Sequence, residues 1–251
     1  MRIAVAGGTG WVGRKVVEAV RAAGDVPVVL ARSTGVDLTT GAGLDAALDG
    51  CATVIDVSNV VTTGRRKSVA FFDAATTRLL TAGARAGVAH HIALSIVGCD
   101  RVGLGYYMGK RRQEELVRSA AVPHTVLRAT QFHEFAAQML VRRGPVVAAP
   151  RMRSQPIAAR EVADALVTLA GAAPAGLAPD LAGPEVLEMD DMVRRLARAR
   201  GDRRLLVPVR LPGAAGRALT GGALLPAADG PRGRQTFTDW LTTPDARAEG
   251  R

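Results

Sequence analysis

The segment that most restricts this chain lies at its start, where Ile3-Ala4-Val5-Ala6 runs directly into Gly7-Gly8-Thr9-Gly10-Trp11-Val12-Gly13. The apolar run reads as a buried strand, and residues 12–23 have helical spacing. Glycines between a strand and a helix do three things. One turns the chain, one lets the backbone approach a pyrophosphate, and one lets helix and sheet pack closely. Two parses are open, Gly8-x-Gly10-x-x-Gly13 and Gly7-x-x-Gly10-x-x-Gly13, differing in which glycine makes the turn. In either, the helix start offers unpaired N–H groups and a positive dipole end to phosphate oxygens. A dinucleotide is the expected ligand, held along the turn from Gly7 to Gly13, with Thr9, Trp11 and Val12 among its contacts.

The pattern continues with β-rich runs at 26–31, 53–57, 91–96 and 124–127, separated by helical stretches at 44–48, 68–86 and 108–119. Near-continuous apolar strands alternating with helices call for a parallel sheet covered on both faces. Right-handed crossovers make it an α/β, doubly wound, Rossmann-like fold. Beyond residue 145 prolines divide the chain, and only two helices are legible, at 160–170 and 190–200. Residues 1–145 are expected to form the dinucleotide-binding core. Residues 146–251 are expected to form mainly a small substrate-binding cap, with some elements packing on the core.

The end of the second strand bears on which dinucleotide binds. An NAD site usually places an acid there for the ribose 2′-hydroxyl. Here Leu30-Ala31-Arg32-Ser33-Thr34 has none. Arg32 can pair with a 2′-phosphate and Ser33 can donate to it, which favours NADPH over NADH. Asp37-Leu38 fall where the adenine edge would lie, and Val57-Ser58-Asn59 end a further strand beside the cofactor.

Tyr106-Tyr107-Met108-Gly109-Lys110 puts a phenol and an ammonium four residues apart, on one face of a helix start. A neighbouring ammonium lowers a phenol's pKa and makes it a workable general acid toward a carbonyl oxygen. Tyr107 is the competing phenol. Ser95, near the end of the preceding strand, could hydrogen-bond the same oxygen, and Lys110 could hold the nicotinamide ribose. His133 lies at a strand's carboxyl end, where substrate contacts gather. His90, His91 and His124 read as structural, Phe237 and Trp240 as packing, and no residue set has metal-ligand spacing.

The formal charge is +10, from 33 Lys and Arg against 23 Asp and Glu. A nucleic-acid partner is nevertheless not expected. Lysine occurs only at Lys15, Lys67 and Lys110, the arginines are spread among acids, and no basic tract is interleaved with aromatics. Cys51 and Cys99 lack paired spacing and read as free thiols of a reducing compartment. No apolar run has membrane-spanning length, and residues 1–6 read as a strand rather than a signal peptide. A cytoplasmic protein is expected, monomer or homodimer, with a small-molecule substrate and no membrane partner.

These residues resemble the short-chain dehydrogenase/reductase superfamily, specifically its atypical NmrA-like branch. The carriers are the turn Gly7–Gly13, Leu94-Ser95-Ile96-Val97-Gly98, Tyr106…Lys110, Leu127-Arg128-Ala129-Thr130-Gln131-Phe132 and Leu181-Ala182-Gly183-Pro184-Glu185. The resemblance implies that Tyr106 donates the proton, Lys110 lowers its pKa and binds ribose, and Ser95 orients the carbonyl. It also implies that Thr130, Gln131 and Phe132 border the nicotinamide. The expected activity is NADPH-dependent reduction of a small, hydrophobic carbonyl or other unsaturated compound. Two alternatives stay open: an NADP(H) sensor without turnover, and a non-redox isomerase, dehydratase or cyclase.

Overall fold

The structure is a computed structural model and describes residues 1–141 and 144–247. Strand β1 (Arg2–Ala6), buried from Ile3 onward, leads through the glycines into α1 (Trp11–Ala22). β2 (Val26–Leu30), a 3-10 turn over Arg32–Thr34, α2 (Leu44–Leu48) and β3 (Thr53–Asp56) follow. Next come α3 (Arg65–Arg85), β4 (His90–Ile96), α4 (Gly105–Ser119) and β5 (His124–Ala129). Shorter pieces follow: α5 (Phe135–Leu140), β6 (Val146–Pro150), β7 (Arg153–Ser154), α6 (Ala159–Ala170), β8 (Gly176–Leu177) and β9 (Leu187–Glu188). The described chain ends with α7 (Met189–Ala199), β10 (Leu205–Val209), α8 (Gly213–Thr220), α9 (Phe237–Leu241) and α10 (Pro244–Arg247).

Six parallel strands in the order β2-β1-β3-β4-β5-β8 make the central sheet. The fold is therefore α/β, with a parallel sheet between helical layers. Alternation along β1 sends Ile3 and Val5 to a core shared with Val16 of α1 and Leu166 of α6. Ala4 and Ala6 face the opposite layer, with Leu48 of α2 and Leu79 of α3. The strand order reverses at β1, so a crevice opens beyond the carboxyl ends of β1 and β3, where sheets of this kind bind ligands.

α3 and α4 each begin three residues before the positions expected from sequence, at Arg65 and Gly105. Close helix packing explains the extension of α4. A Cβ on Gly105 would lie 2.4 Å from the Thr63 carbonyl oxygen, and one on Gly109 would lie 2.6 Å from the Phe72 ring. These two glycines, one turn apart, lay α4 on the start of α3 and carry Tyr106 to the crevice.

Helix α6 and strand β8 join the central sheet's layers, whereas α5, β6, α7, α8 and α9 gather around a second apolar cluster. Phe237 and Trp240 are its largest fully buried side chains, stacked with centroids 5.4 Å apart.

Candidate active site

The glycine turn settles its own parse. Gly7 carries the left-handed backbone (φ +79°), and a Cβ there would meet Ser58 Cα at 2.9 Å. Gly7 thus makes the turn, and Gly7-x-x-Gly10-x-x-Gly13 is the working spacing. A Cβ on Gly13 would sit 2.0 Å from the Gly7 carbonyl oxygen, so only glycine lets α1 start this close to the strand end. Gly10 caps α1 without a side-chain bond, and no acid occupies the first turn. The leading amides of a helix have no intrahelical acceptors, so these point at the crevice as an anion cradle. A cradle that admits no Cβ and leads with unpaired amides fits the diphosphate of a dinucleotide. Two buried polar groups at the strand ends, the Ser58 hydroxyl and the Gln131 side-chain amide, also lack hydrogen-bond partners among the described residues.

Arg32 and Ser33 stand exposed at the end of β2, and neither side chain makes a hydrogen bond or ion pair among the described residues. Asp37 is engaged locally. Its Oδ1 accepts from the Thr39 hydroxyl and from the amides of Thr39 and Thr40, bonds that hold its carboxyl below the usual range. Leu38 packs partly into the core. Trp11 lies against Phe132, ring centroids 6.0 Å apart, so the turn and the end of β5 share a wall.

The Tyr106 hydroxyl donates to Asn59 Oδ1 at 2.8 Å. Burial first, and Tyr107 second, push this phenol above its ordinary range. Here the expected partnership with Lys110 needs correction. The Lys110 ammonium donates instead to the Leu94 carbonyl at 2.8 Å and to Gln113 Oε1 at 2.9 Å, above the Phe72 ring. A stem that crosses an aromatic face into the core carries the charge away from the helix surface. Burial pulls Lys110 down to about 8, against the attraction of Asp56.

Ser95 needs a similar correction. It is buried, and its hydroxyl donates to Glu114 Oε1 at 2.5 Å. Glu114 also accepts from Arg128 Nε and Nη2, at 2.9 and 2.6 Å, and from the Cys99 thiol. Burial alone would raise Glu114, but Arg128 and Ser95 outweigh it and hold the carboxyl low. Ser95 therefore serves an ion-pair network in this conformation. Thr130 likewise donates to the Gln155 carbonyl at 2.6 Å, fastening β5 to the following segment. Of the Thr130, Gln131 and Phe132 trio, Gln131 alone keeps buried side-chain polar atoms without a hydrogen-bond partner among the described residues, and it lies close enough to Tyr107 to oppose the burial that pushes that phenol up to about 12.

His133 is fully buried against both Phe237 and Trp240, with Nε2 on the Gln235 carbonyl at 3.0 Å, so packing accounts for it. His90 pairs with the Thr125 hydroxyl, and burial lowers both His90 and His91. Among the described residues no group of three or more His, Cys, Asp or Glu could hold a metal, and both cysteines are buried free thiols.

Sequence reading missed the polar network beneath the crevice. Asp56 is fully buried, taking the Ser58 amide on one oxygen and the Gln113 side chain on the other, each at 2.9 Å. Gln113 then holds Lys110. The signal was present as helical spacing: Lys110, Gln113, Glu114 and Val117 all line the buried face of α4.

No protein-family model matches the chain. A curated relative, the (4-alkanoyl-5-oxo-2,5-dihydrofuran-3-yl)methyl phosphate reductase of Streptomyces griseus, is 30% identical over 219 residues, covering 79% of this chain and 74% of the relative. Among solved structures, dTDP-glucose 4,6-dehydratase from Streptomyces venezuelae, with NAD bound, superposes with a TM-score of 0.77 at 16% identity, covering 98% and 96% of the two chains. Triphenylmethane reductase from Citrobacter sp., with NADP(H), gives 0.67 at 15% identity over 92% and 93%. The chain belongs to the short-chain dehydrogenase/reductase superfamily. Those two structures hold NAD and NADP(H) respectively, and the chain is an NAD(P)H-dependent oxidoreductase or a related enzyme of that superfamily. No helix among the described residues is long and apolar enough to cross a membrane.

Proposed function

We propose that the chain is an NADPH-dependent reductase of a small hydrophobic carbonyl or other unsaturated compound, of the NmrA-like branch, with Tyr106 as proton donor. The observation that carries this is the phenol held at 2.8 Å by Asn59 beside the glycine turn. An ordinary phenol is already protonated at neutral pH, and burial raises Tyr106 further. A substrate oxygen that replaces Asn59 as acceptor receives a hydrogen bond, and then the proton, as negative charge develops on it. The bound nicotinamide supplies the hydride. The amides leading α1 hold the diphosphate, Arg32 and Ser33 hold the 2′-phosphate, and the unpaired Gln131 amide meets a polar edge of the cofactor or substrate. Lys110 acts from below, fixing the end of β4 through Leu94. The half-buried Tyr107 and the apolar cluster behind it suit a hydrophobic substrate. The relative's substrate name, which joins an alkanoyl group to an oxo-dihydrofuran phosphate, supports an unsaturated carbonyl class.

The test is NADPH oxidation with a panel of ketones, quinones, imines and alkanoyl-dihydrofuranone phosphates. Turnover should fall by roughly 10²–10⁴-fold in Tyr106→Phe, with NADPH binding retained. Tight NADPH binding without oxidation across the panel would overturn the reductase reading.

A further inference from the structure

β6 and β10 form a separate two-stranded parallel sheet, in which Val146 pairs with Leu205, Ala148 with Val207 and Pro150 with Val209. Alternation buries Val147 and Ala149 in the second apolar cluster. The opposite face presents Val146, Leu205, Val207 and Val209 to solvent, extended by Leu211, with Leu205 64% exposed. The other exposed large apolar residues are mostly scattered, as on any protein surface. This face is a continuous aliphatic stripe.

Its charge is one-sided. Neither 135–160 nor 203–228 contains a single Asp or Glu. Arg151, Arg203 and Arg210 stand at the strand ends and Arg217 on α8, all exposed and without an ion pair among the described residues. From 203 to 218 every polar side chain is an arginine.

A second copy of the chain is a poor occupant. A two-fold contact would set arginine rim against arginine rim with no acid in either segment to relieve it. An acidic protein is poorly matched as well, because the stripe has no aromatic anchor and no hydroxyl or amide for directional bonding. Aliphatic side chains ringed by unpaired cations suit a surface that is apolar within and diffusely anionic at its boundary. We infer that the β6–β10 face seats on an anionic lipid surface. The expectation of no membrane partner rested on spanning length alone, whereas a peripheral contact depends on which side chains share a face, and strand register decides that.

The experiment is co-sedimentation of the full chain with vesicles of phosphatidylcholine alone and of phosphatidylcholine mixed with phosphatidylglycerol, at low and high salt. Partition to the anionic vesicles is expected, weakening with salt. It should drop at least roughly tenfold in Leu205→Asp/Val207→Asp and in Arg203→Gln/Arg210→Gln, each with native thermal unfolding. If the aspartate pair fails to fold, the exposed arginine pair decides alone. Equal binding to both vesicle types, or none, overturns the inference. So does a dimer in light scattering that the aspartate pair dissociates.

Discussion

The Tyr106 hydroxyl and the Asn59 side chain are joined at 2.8 Å, tying the first turn of α4 to the loop after β3. The same Asn59 oxygen accepts the Val60 amide at 2.8 Å, which fixes its direction. The phenol is thus aimed by a loop whose root, through Ser58, is fastened to the buried Asp56. Asn59→Ala should leave the phenol unaimed and reduce turnover by about 10–100-fold, with cofactor affinity little changed. Asn59→Asp, which keeps an acceptor, should lose less. Steady-state kinetics beside cofactor titration checks this, and an alanine variant with native turnover removes Asn59 from the mechanism.

Arg32 carries the cofactor preference. It stands exposed at the end of β2 with no hydrogen bond or salt bridge among the described residues, so its guanidinium donors are open to a 2′-phosphate. Arg32→Ala should weaken NADPH by about tenfold or more, the scale of one charge-assisted contact, while NADH changes little. Fluorescence titration with both dinucleotides decides it, and equal losses for the two would end the 2′-phosphate assignment.

Two glycine substitutions separate close approach from backbone strain. Gly13→Ala drives a Cβ into backbone at 2.0 Å from the Gly7 oxygen, which nothing flexible can relieve. Gly24 has a left-handed backbone (φ +79°) but open space around it. Gly24→Ala should cost about 1 kcal/mol of stability and leave cofactor binding intact, whereas Gly13→Ala should abolish binding. A Gly13→Ala chain that still bound NADPH would mean that the helix start does not form the cradle.

Much of this was legible in the residues. The turn, the βα alternation and the helices at 160–170 and 190–200 follow from periodicity and glycine placement, because each is specified over a short stretch. What escaped depends on tertiary contact. Spacing put Tyr106 and Lys110 on one helix, but could not say that Lys110 reaches Leu94 while Tyr106 reaches Asn59. Ser95 sat at the expected strand end, yet its role was set by Glu114 and Arg128, fourteen positions apart from each other in the chain. β6 and β10 were missed because each is a short strand in a proline-rich segment, and the two pair across more than fifty residues.

Glu134 gives a pH-dependent prediction with a definite sign. Its side chain is buried, and burial pushes it up to about 7 despite the nearby amides of Glu134 and Ala159 and the attraction of Lys15, with Asp245 adding to the rise. Between the unfolded value near 4.5 and about 7, the folded chain holds a proton that the unfolded chain has released. The stability this group confers is therefore complete below the lower value and lost as pH rises through the upper one. Glu134→Gln keeps the shape and removes the titration. The variant should match the parent near the acid end and exceed it above neutrality by about 3 kcal/mol, the free energy of a shift from 4.5 to about 7. Comparing the two chains cancels the buried histidines, which titrate in the same window with opposite sign. Denaturant midpoints measured across this range check it, and a constant difference between the two chains would show that Glu134 is ionised throughout.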